Sequence, residues 1–285
     1  MSAPEAAKSS RLAAVDLTVP PMDAVVDLHG DPVAAELVLF MNGNQFMVMD
    51  EFVGAFQAAN PWVREVFYET IPPGKVIEQV RNGALQMGEL RLSVRPDLVA
   101  AGPRLLQPLY DEGLIGGPVA YATNDLAILV AAGNPLDIRG LADLAKPDVR
   151  VAMPNLRDEG VAELIAQAME KAGGSQLRQT VLEDKVAAGT TRWTQIHHRE
   201  SAMWLAAGDV DACPLWSTEA RYHCVDLGAA METVSIPAEH NVIGHYAIAV
   251  VRDCPHPEAA RAYVEFLRGP QGSKLYARFG FSQPS

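Results

Sequence analysis

The strongest constraint on this chain is the alternation of strand-length apolar runs with segments of helical period. Residues 126–131 (LAILVA) and 246–251 (YAIAVV) are uninterrupted apolar runs, the pattern of strands covered on both faces. Shorter strand candidates lie at 37–40, 65–69, 90–94, 149–153, 212–216 and 233–236. Between them, the periodicity predicts helices over 46–56, 75–82, 104–112, 159–172, 200–207 and 257–267, with a short last helix over 271–279. A short helix over 141–145 follows the turn at Gly133-Asn134-Pro135. Such alternation argues for helices packed on parallel sheets. At 285 residues, 49% of them hydrophobic, the chain has material for one large core or two ordinary ones.

Residues 36–56 form the most informative unit. Leu37, Val38, Leu39 and Phe40 read as a buried strand, and Asn42-Gly43-Asn44 as a turn. Phe46, Met49, Phe52, Val53 and Phe56 then follow at helical spacing. Asn42 or Asn44 is the candidate helix cap. In an open α/β sheet, ligands sit beyond the carboxyl end of a strand, where a helix N-terminus offers N–H groups to an anion. The competing reading is a strand–turn–helix that serves only as scaffold.

Charge and motif content remove several function classes. A formal net charge of −12 argues against nucleic acid as a partner. No stretch approaches the length of a membrane span, so no membrane insertion is expected. No phosphate-loop, dinucleotide or nucleophile-elbow motif is present. Cys213, Cys224 and Cys254 match neither zinc spacing nor a disulfide framework, and read as buried or incidental thiols. His197 and His198 are adjacent and cannot share one helix face, and the remaining histidines close no metal set. No secretory signal is recognisable in the first 30 residues. The expected location is therefore the cytoplasm, or the periplasm if a signal was removed.

Two cations stand out. Lys75 and Arg199 fall at predicted helix N-termini, where a positive charge is mildly unfavourable unless it faces an anion docked on the same donors. Pointing into solvent is the alternative. Arg157, beside Asp158 and Glu159, is read as solvent-facing.

The order of elements resembles the periplasmic molybdate- and tungstate-binding proteins of ABC importers, of the type II periplasmic binding protein class. The likeness spans residues 36–281. It rests on the run from Tyr246, on AYVEFLRGPQG from Ala262, on YARFGF from Tyr276, on Asn134-Pro135 with LADL from Leu141, and on GDVDA from Gly208. The resemblance implies a two-lobed α/β fold with the ligand cleft between lobes. An N-terminal extension (1–34), expected to drape over the core, would precede a first lobe (35–125), a second lobe (126–243) and a return segment (244–285). It implies non-catalytic capture of a small anion by lobe closure, with no cofactor required and molybdate, tungstate or a metal-containing cofactor as the ligand. The matching site positions hold Asn42, Asn44 and Gln45; Gly74 and Lys75; residues 158–161; His197, His198 and Arg199; and Trp216. Asn42-Gly43-Asn44-Gln45 and Pro73-Gly74-Lys75 stand where the family carries a serine each, and tryptophan where it carries tyrosine, which points to a differently shaped, larger or more highly charged ligand. The implied partner is an ABC importer. The alternative is an accessory protein or subunit of a larger assembly, such as a molybdenum or tungsten enzyme. No catalytic residue and no metal ligand is expected.

Overall fold

The computed structural model describes residues 27–87, 90–157, 159–195 and 197–284. Thirteen strands among them are β1 (Leu28–His29), β2 (Leu37–Asn42), β3 (Val66–Ile71), β4 (Leu85–Met87), β5 (Leu90–Leu92), β6 (Leu98–Ala101), β7 (Val119–Asn124), β8 (Leu126–Ala131), β9 (Val151–Met153), β10 (Thr191–Trp193), β11 (Ala212–Trp216), β12 (Met231–Ser235) and β13 (Gly244–Val250). The α-helices are α1 (Phe46–Ala59), α2 (Pro73–Asn82), α3 (Pro103–Asp111), α4 (Gly160–Gln179), α5 (Lys185–Ala187), α6 (Glu200–Ala206), α7 (Ser217–Arg221), α8 (Pro257–Arg268) and α9 (Pro270–Arg278).

The strands form two sheets and a small hairpin. The first sheet has the order β1-β3-β2-β6-β13-β7, the second β10-β9-β11-β8-β12, and β4 pairs with β5. The chain thus leaves the first lobe at Asn124, builds the second, and returns at Gly244 to complete the first. Asn241 clamps the two crossings together. Its amide accepts from the Leu126 N–H (3.0 Å) and donates to the Leu126 carbonyl (2.9 Å).

The sheets are mixed, not parallel throughout. β2 runs parallel to β3 and β6, and β9 parallel to β10 and β11. The strands next to the crossings, β8 and β13, pair antiparallel with their neighbours. These two carry the uninterrupted apolar runs, which report cover on both faces and say nothing of strand direction. The mixed pattern has a functional consequence. The parallel strands β2, β3, β6, β9 and β11 all end at the gap between the lobes.

The apolar face of α1 explains why the return segment is needed. Phe52 and Phe56 are fully buried against Tyr263 and Phe266 of α8, and Phe52 also against Tyr276 of α9, with centroid separations of 5.2 to 5.8 Å. Each buried phenylalanine contributes roughly 1.5–3 kcal/mol. Asp97, also buried, accepts from the backbone N–H of Val38 and of His256, both at 2.7 Å, fastening the returning chain to β2.

Several sequence expectations are adjusted. Within the expected extension, Leu28–His29 enter the first sheet as edge strand β1, antiparallel to β3. Residues 1–26 of the expected extension lie outside the described residues. The helix opened by Gly160 breaks as expected at Gly173-Gly174, where both residues leave helical angles and Gly174 takes φ 69°, and a second helical stretch then runs to Gln179. Helix α1 starts later than the Asn caps supposed. A 3-10 turn over Gly43–Gln45 intervenes, and neither Asn42 nor Gln45 makes a side-chain cap. α2 ends as expected at Gly83, whose φ of 69° places it in the left-handed region.

Candidate functional site

A cavity of about 400 Å³ lies where the parallel strands of both lobes end. Its walls are helix starts. Asn42, Gly43 and Asn44 precede α1, Pro73 opens α2, Gly102 and Pro103 open α3, and Glu159 and Gly160 open α4. α1, α2 and α3 are 14, 10 and 9 residues long and α4 runs from Gly160 to its break at Gly173, so each brings the positive end of a helix dipole to the gap. Trp216 and His198 line the wall from the second lobe, and Tyr246 from the returning strand.

Trp216 holds its place because position 244 is glycine. A Cβ there would sit 2.3 Å from Cη2 of the indole. The Trp216 ring packs at 5.6 Å from that of Tyr246. The Tyr246 hydroxyl accepts a 2.6 Å hydrogen bond from the Asn44 side-chain amide. Asn44 in turn accepts from the Gln45 amide at 3.2 Å.

The second lobe supplies a buried ionic triad. His198 Nδ1 lies 3.0 Å from Glu159 Oε1, and its Nε2 2.6 Å from Glu219 Oε2. The His198 N–H also donates to Glu159 at 2.8 Å. Burial alone would discharge this imidazole, but the two carboxylates raise its pKa to about 10. Burial would likewise raise both glutamates, and the charge on His198 holds them below the ordinary range. All three groups are therefore charged at neutral pH, with a net charge of −1.

A second buried cluster joins the lobes. The Arg199 guanidinium pairs with Asp27 and donates to the Thr70 carbonyl at 3.2 Å. His197 Nε2 lies 3.3 Å from Asp27 Oδ1. The guanidinium also sits 5.1 Å from the centre of the Phe46 ring, and Phe46 meets Tyr222 of the second lobe edge-on at 5.3 Å. At the rim, Arg104 of α3 pairs with Glu163 of α4, with Nη1 to Oε1 at 3.1 Å. Both ion pairs span the gap, so the lobes are closed on one another.

The residues expected at the site therefore divide. Asn42, Asn44, His198 and Trp216 line the cavity. Gln45, His197 and Arg199 are buried, but do not line it. Gln45 buttresses Asn44, while His197 and Arg199 join the lobes through Asp27. Gly74 and Lys75 do not line it either. Lys75 reaches along its own helix to Glu78, with Nζ to Oε2 at 3.2 Å. Of 158–161, Glu159, Gly160 and Val161 line the cavity, and Asp158 lies outside the described residues. Among the described residues, no group of three or more His, Cys, Asp or Glu is placed to hold a metal ion.

The profile of the bacterial extracellular solute-binding proteins matches residues 37–282, nearly the whole described chain. The chain belongs to this family. As a solute-binding protein it is 25% identical over 254 residues to the molybdate-binding protein ModA of Mycobacterium tuberculosis, covering 88% of this chain and 86% of the relative. Its fold is similar to the periplasmic molybdate-binding protein of Azotobacter vinelandii (TM-score 0.71, 15% identity, 87% of this chain and 100% of that one). It is likewise similar to the sulfate-binding protein SubI of Mycobacterium tuberculosis H37Rv (TM-score 0.70, 20% identity, 87% and 86%). These likenesses show the two-lobed type II periplasmic binding protein fold.

Sequence reasoning missed Tyr246, Glu159 as a partner of His198, and Glu219. Tyr246 was legible only as one position of an apolar strand. Glu159 and His198 stand 39 residues apart, a pairing no local pattern announces.

Proposed function

We propose that this solute-binding protein reversibly captures a small oxyanion between its lobes, without catalysis, and that molybdate and tungstate head the candidates. The observation that carries the reading is the convergence of four helix N-termini and the Asn42 and Asn44 amides on one cavity. Such a site offers fixed neutral donors, which bind an oxyanion without a matching side-chain charge. The names of the relatives, molybdate- and sulfate-binding, support the same class. The membrane subunits of an ABC importer are the partner that fits this role. Among the described residues, no helix is long and apolar enough to cross a membrane.

A second reading concerns ligand size. The cavity, at about 400 Å³, has the size of a small-molecule site. Leu105, Leu164, Ile243 and Trp216 give it an apolar wall, which favours an anion with a larger body, such as a metal-containing cofactor. Isothermal titration with molybdate, tungstate, sulfate and phosphate tests the first reading. Binding of at least one with micromolar or better affinity is expected. No heat and no thermal shift with any of the four would overturn it.

A further inference from the structure

Two polar side chains in the cavity wall have hydrogen-bonding capacity that the protein does not use. Glu159 stands at the N-cap of α4, 4% exposed, and lines the cavity. Its Oε1 accepts from the His198 N–H at 2.8 Å and lies 3.0 Å from His198 Nδ1. Among the described residues no group donates to Oε2, and the carboxylate caps none of the N–H groups of α4. Oε2 is not sealed off, unlike Oε1 of Glu219, and the space that Glu159 lines is the cavity. Asn42 is 6% exposed and lines the same cavity, and its side chain makes no hydrogen bond among the described residues. A carboxamide can be turned to donate or to accept, whereas an ionised carboxylate only accepts, through either oxygen. Burial alone would raise the Glu159 pKa, and the charge on His198 outweighs this and keeps the group ionised. An anion seated on the first N–H groups of α4, at Gly160 and Val161, therefore meets an acceptor beside those donors. A fully deprotonated oxyanion offers only acceptors there, and sets like charges against each other. One proton between the two oxygens removes both penalties.

We infer that Glu159 is a ligand-binding residue that sets specificity: its Oε2 shares one proton with an oxygen of the bound anion, so the site takes an oxyanion that arrives singly protonated or draws a proton from solvent as it binds. Apart from that O–H, no bond forms or breaks. This rests on the oxyanion reading of the same cavity. The charged and titratable groups around Glu159 are His197 and His198, Glu219 behind His198, Tyr246 of β13 and the Arg104–Glu163 pair at the rim. His245 also lines the cavity. His198 and Glu219 hold their charges near neutral pH, and burial keeps the Tyr246 phenol protonated. Any proton uptake at His197 or His245 would persist when Glu159 is replaced.

The test is calorimetric titration of the full chain with phosphate, sulfate, molybdate and tungstate at pH 7, in two buffers of different ionisation heat, so that protons taken up are counted. Phosphate keeps a proton at this pH and the other three do not. An unpaired charged acceptor in the site weakens binding about 10- to 150-fold. Wild type is therefore expected to hold phosphate at least about tenfold more tightly than sulfate. It is expected to take up about one proton with any of the other three that it binds. Glu159→Gln puts an amide that can donate in place of the carboxylate. It should bring phosphate and sulfate within about threefold of each other and abolish the uptake. If Glu159→Gln does not fold, the wild-type proton count and the phosphate-to-sulfate ratio decide. Binding of sulfate, molybdate or tungstate without proton uptake, uptake unchanged in Glu159→Gln, or a phosphate preference over sulfate below about tenfold overturns this inference and leaves the oxyanion reading standing. If wild type binds none of the four anions, both fall.

Discussion

Because His198 is charged only through its two carboxylate neighbours, the stability of the second lobe is tied to pH. In the unfolded chain a histidine titrates near 6.5. In the folded protein its pKa is raised to about 10. A raised pKa contributes stability that is fully present below 6.5 and is lost as pH climbs toward 10. At about 1.4 kcal/mol per pH unit, the interval corresponds to stability on the order of 5 kcal/mol, an upper figure for so tightly packed a group. Glu159 and Glu219 act in the opposite sense. Their depressed pKa values contribute stability that is present above about 4.5 and lost as pH falls through their folded values. His198→Gln would leave two buried carboxylates without their cation, at a cost of about 3–5 kcal/mol near pH 6.5. Thermal melts of wild type and His198→Gln at pH 6.5, 8 and 10 check this. The wild type should lose much of its advantage between pH 6.5 and 10, and at pH 6.5 the variant should melt several degrees lower at about 2–4 °C per kcal/mol. A gap that stays constant across that range would refute the charged triad.

Four further outcomes follow from the geometry. Arg199→Met should cost about 3–5 kcal/mol in urea unfolding, because it removes the guanidinium that answers the buried Asp27 charge between the lobes. Gly244→Ala drives a methyl into the Trp216 ring and should cost about 1–3 kcal/mol, with a changed tryptophan emission spectrum and weaker anion binding. Lys75→Ala should leave anion affinity within about twofold by calorimetry, since Lys75 reaches Glu78 and does not line the cavity. Anion affinity measured between about 20 and 300 mM sodium chloride should change less than about threefold, because the cations described beside the cavity, Arg104 and His198, are each paired with carboxylates.

How much of this was legible in the sequence depended on the range of the interaction concerned. The turn at Asn42-Gly43-Asn44 was readable because a strand, a break and a helical period lie within 21 residues, and the structure places that turn in the cavity wall. β6 and β7 were not readable. Leu98–Ala101 is only four residues long, and β7 opens with partly exposed positions, so neither gives a strand-length apolar signal. The prominence given to Lys75 and Arg199 came from their place at helix starts, which is correct. Their destination could not be read, because Asp27 lies 172 residues from Arg199 and is joined to it only by the fold. The adjacent pair His197-His198 shows the same limit. One imidazole faces Asp27 and the other Glu159 and Glu219, so two neighbours in sequence serve different clusters.

These pairings decide what kind of anion site this can be. Of the cations near the cleft, Arg199 answers Asp27, Arg104 answers Glu163, and His198 answers two glutamates. None adds net positive charge to the cavity, and the His198 triad adds a negative one. Attraction of an anion under the proposed function would then come from groups without formal charge: the helix N-termini and the Asn42 and Asn44 amides. Such donors are fixed in place and short in range, so they discriminate by where the oxygens of the ligand fall more than by its charge. A long-range field would draw in any anion. Under the proposed capture, a cavity that is locally acidic and lined by neutral donors would admit one whose oxygens meet those donors and whose charge stays clear of Glu159, and the carboxylates would penalise every anion that is misplaced.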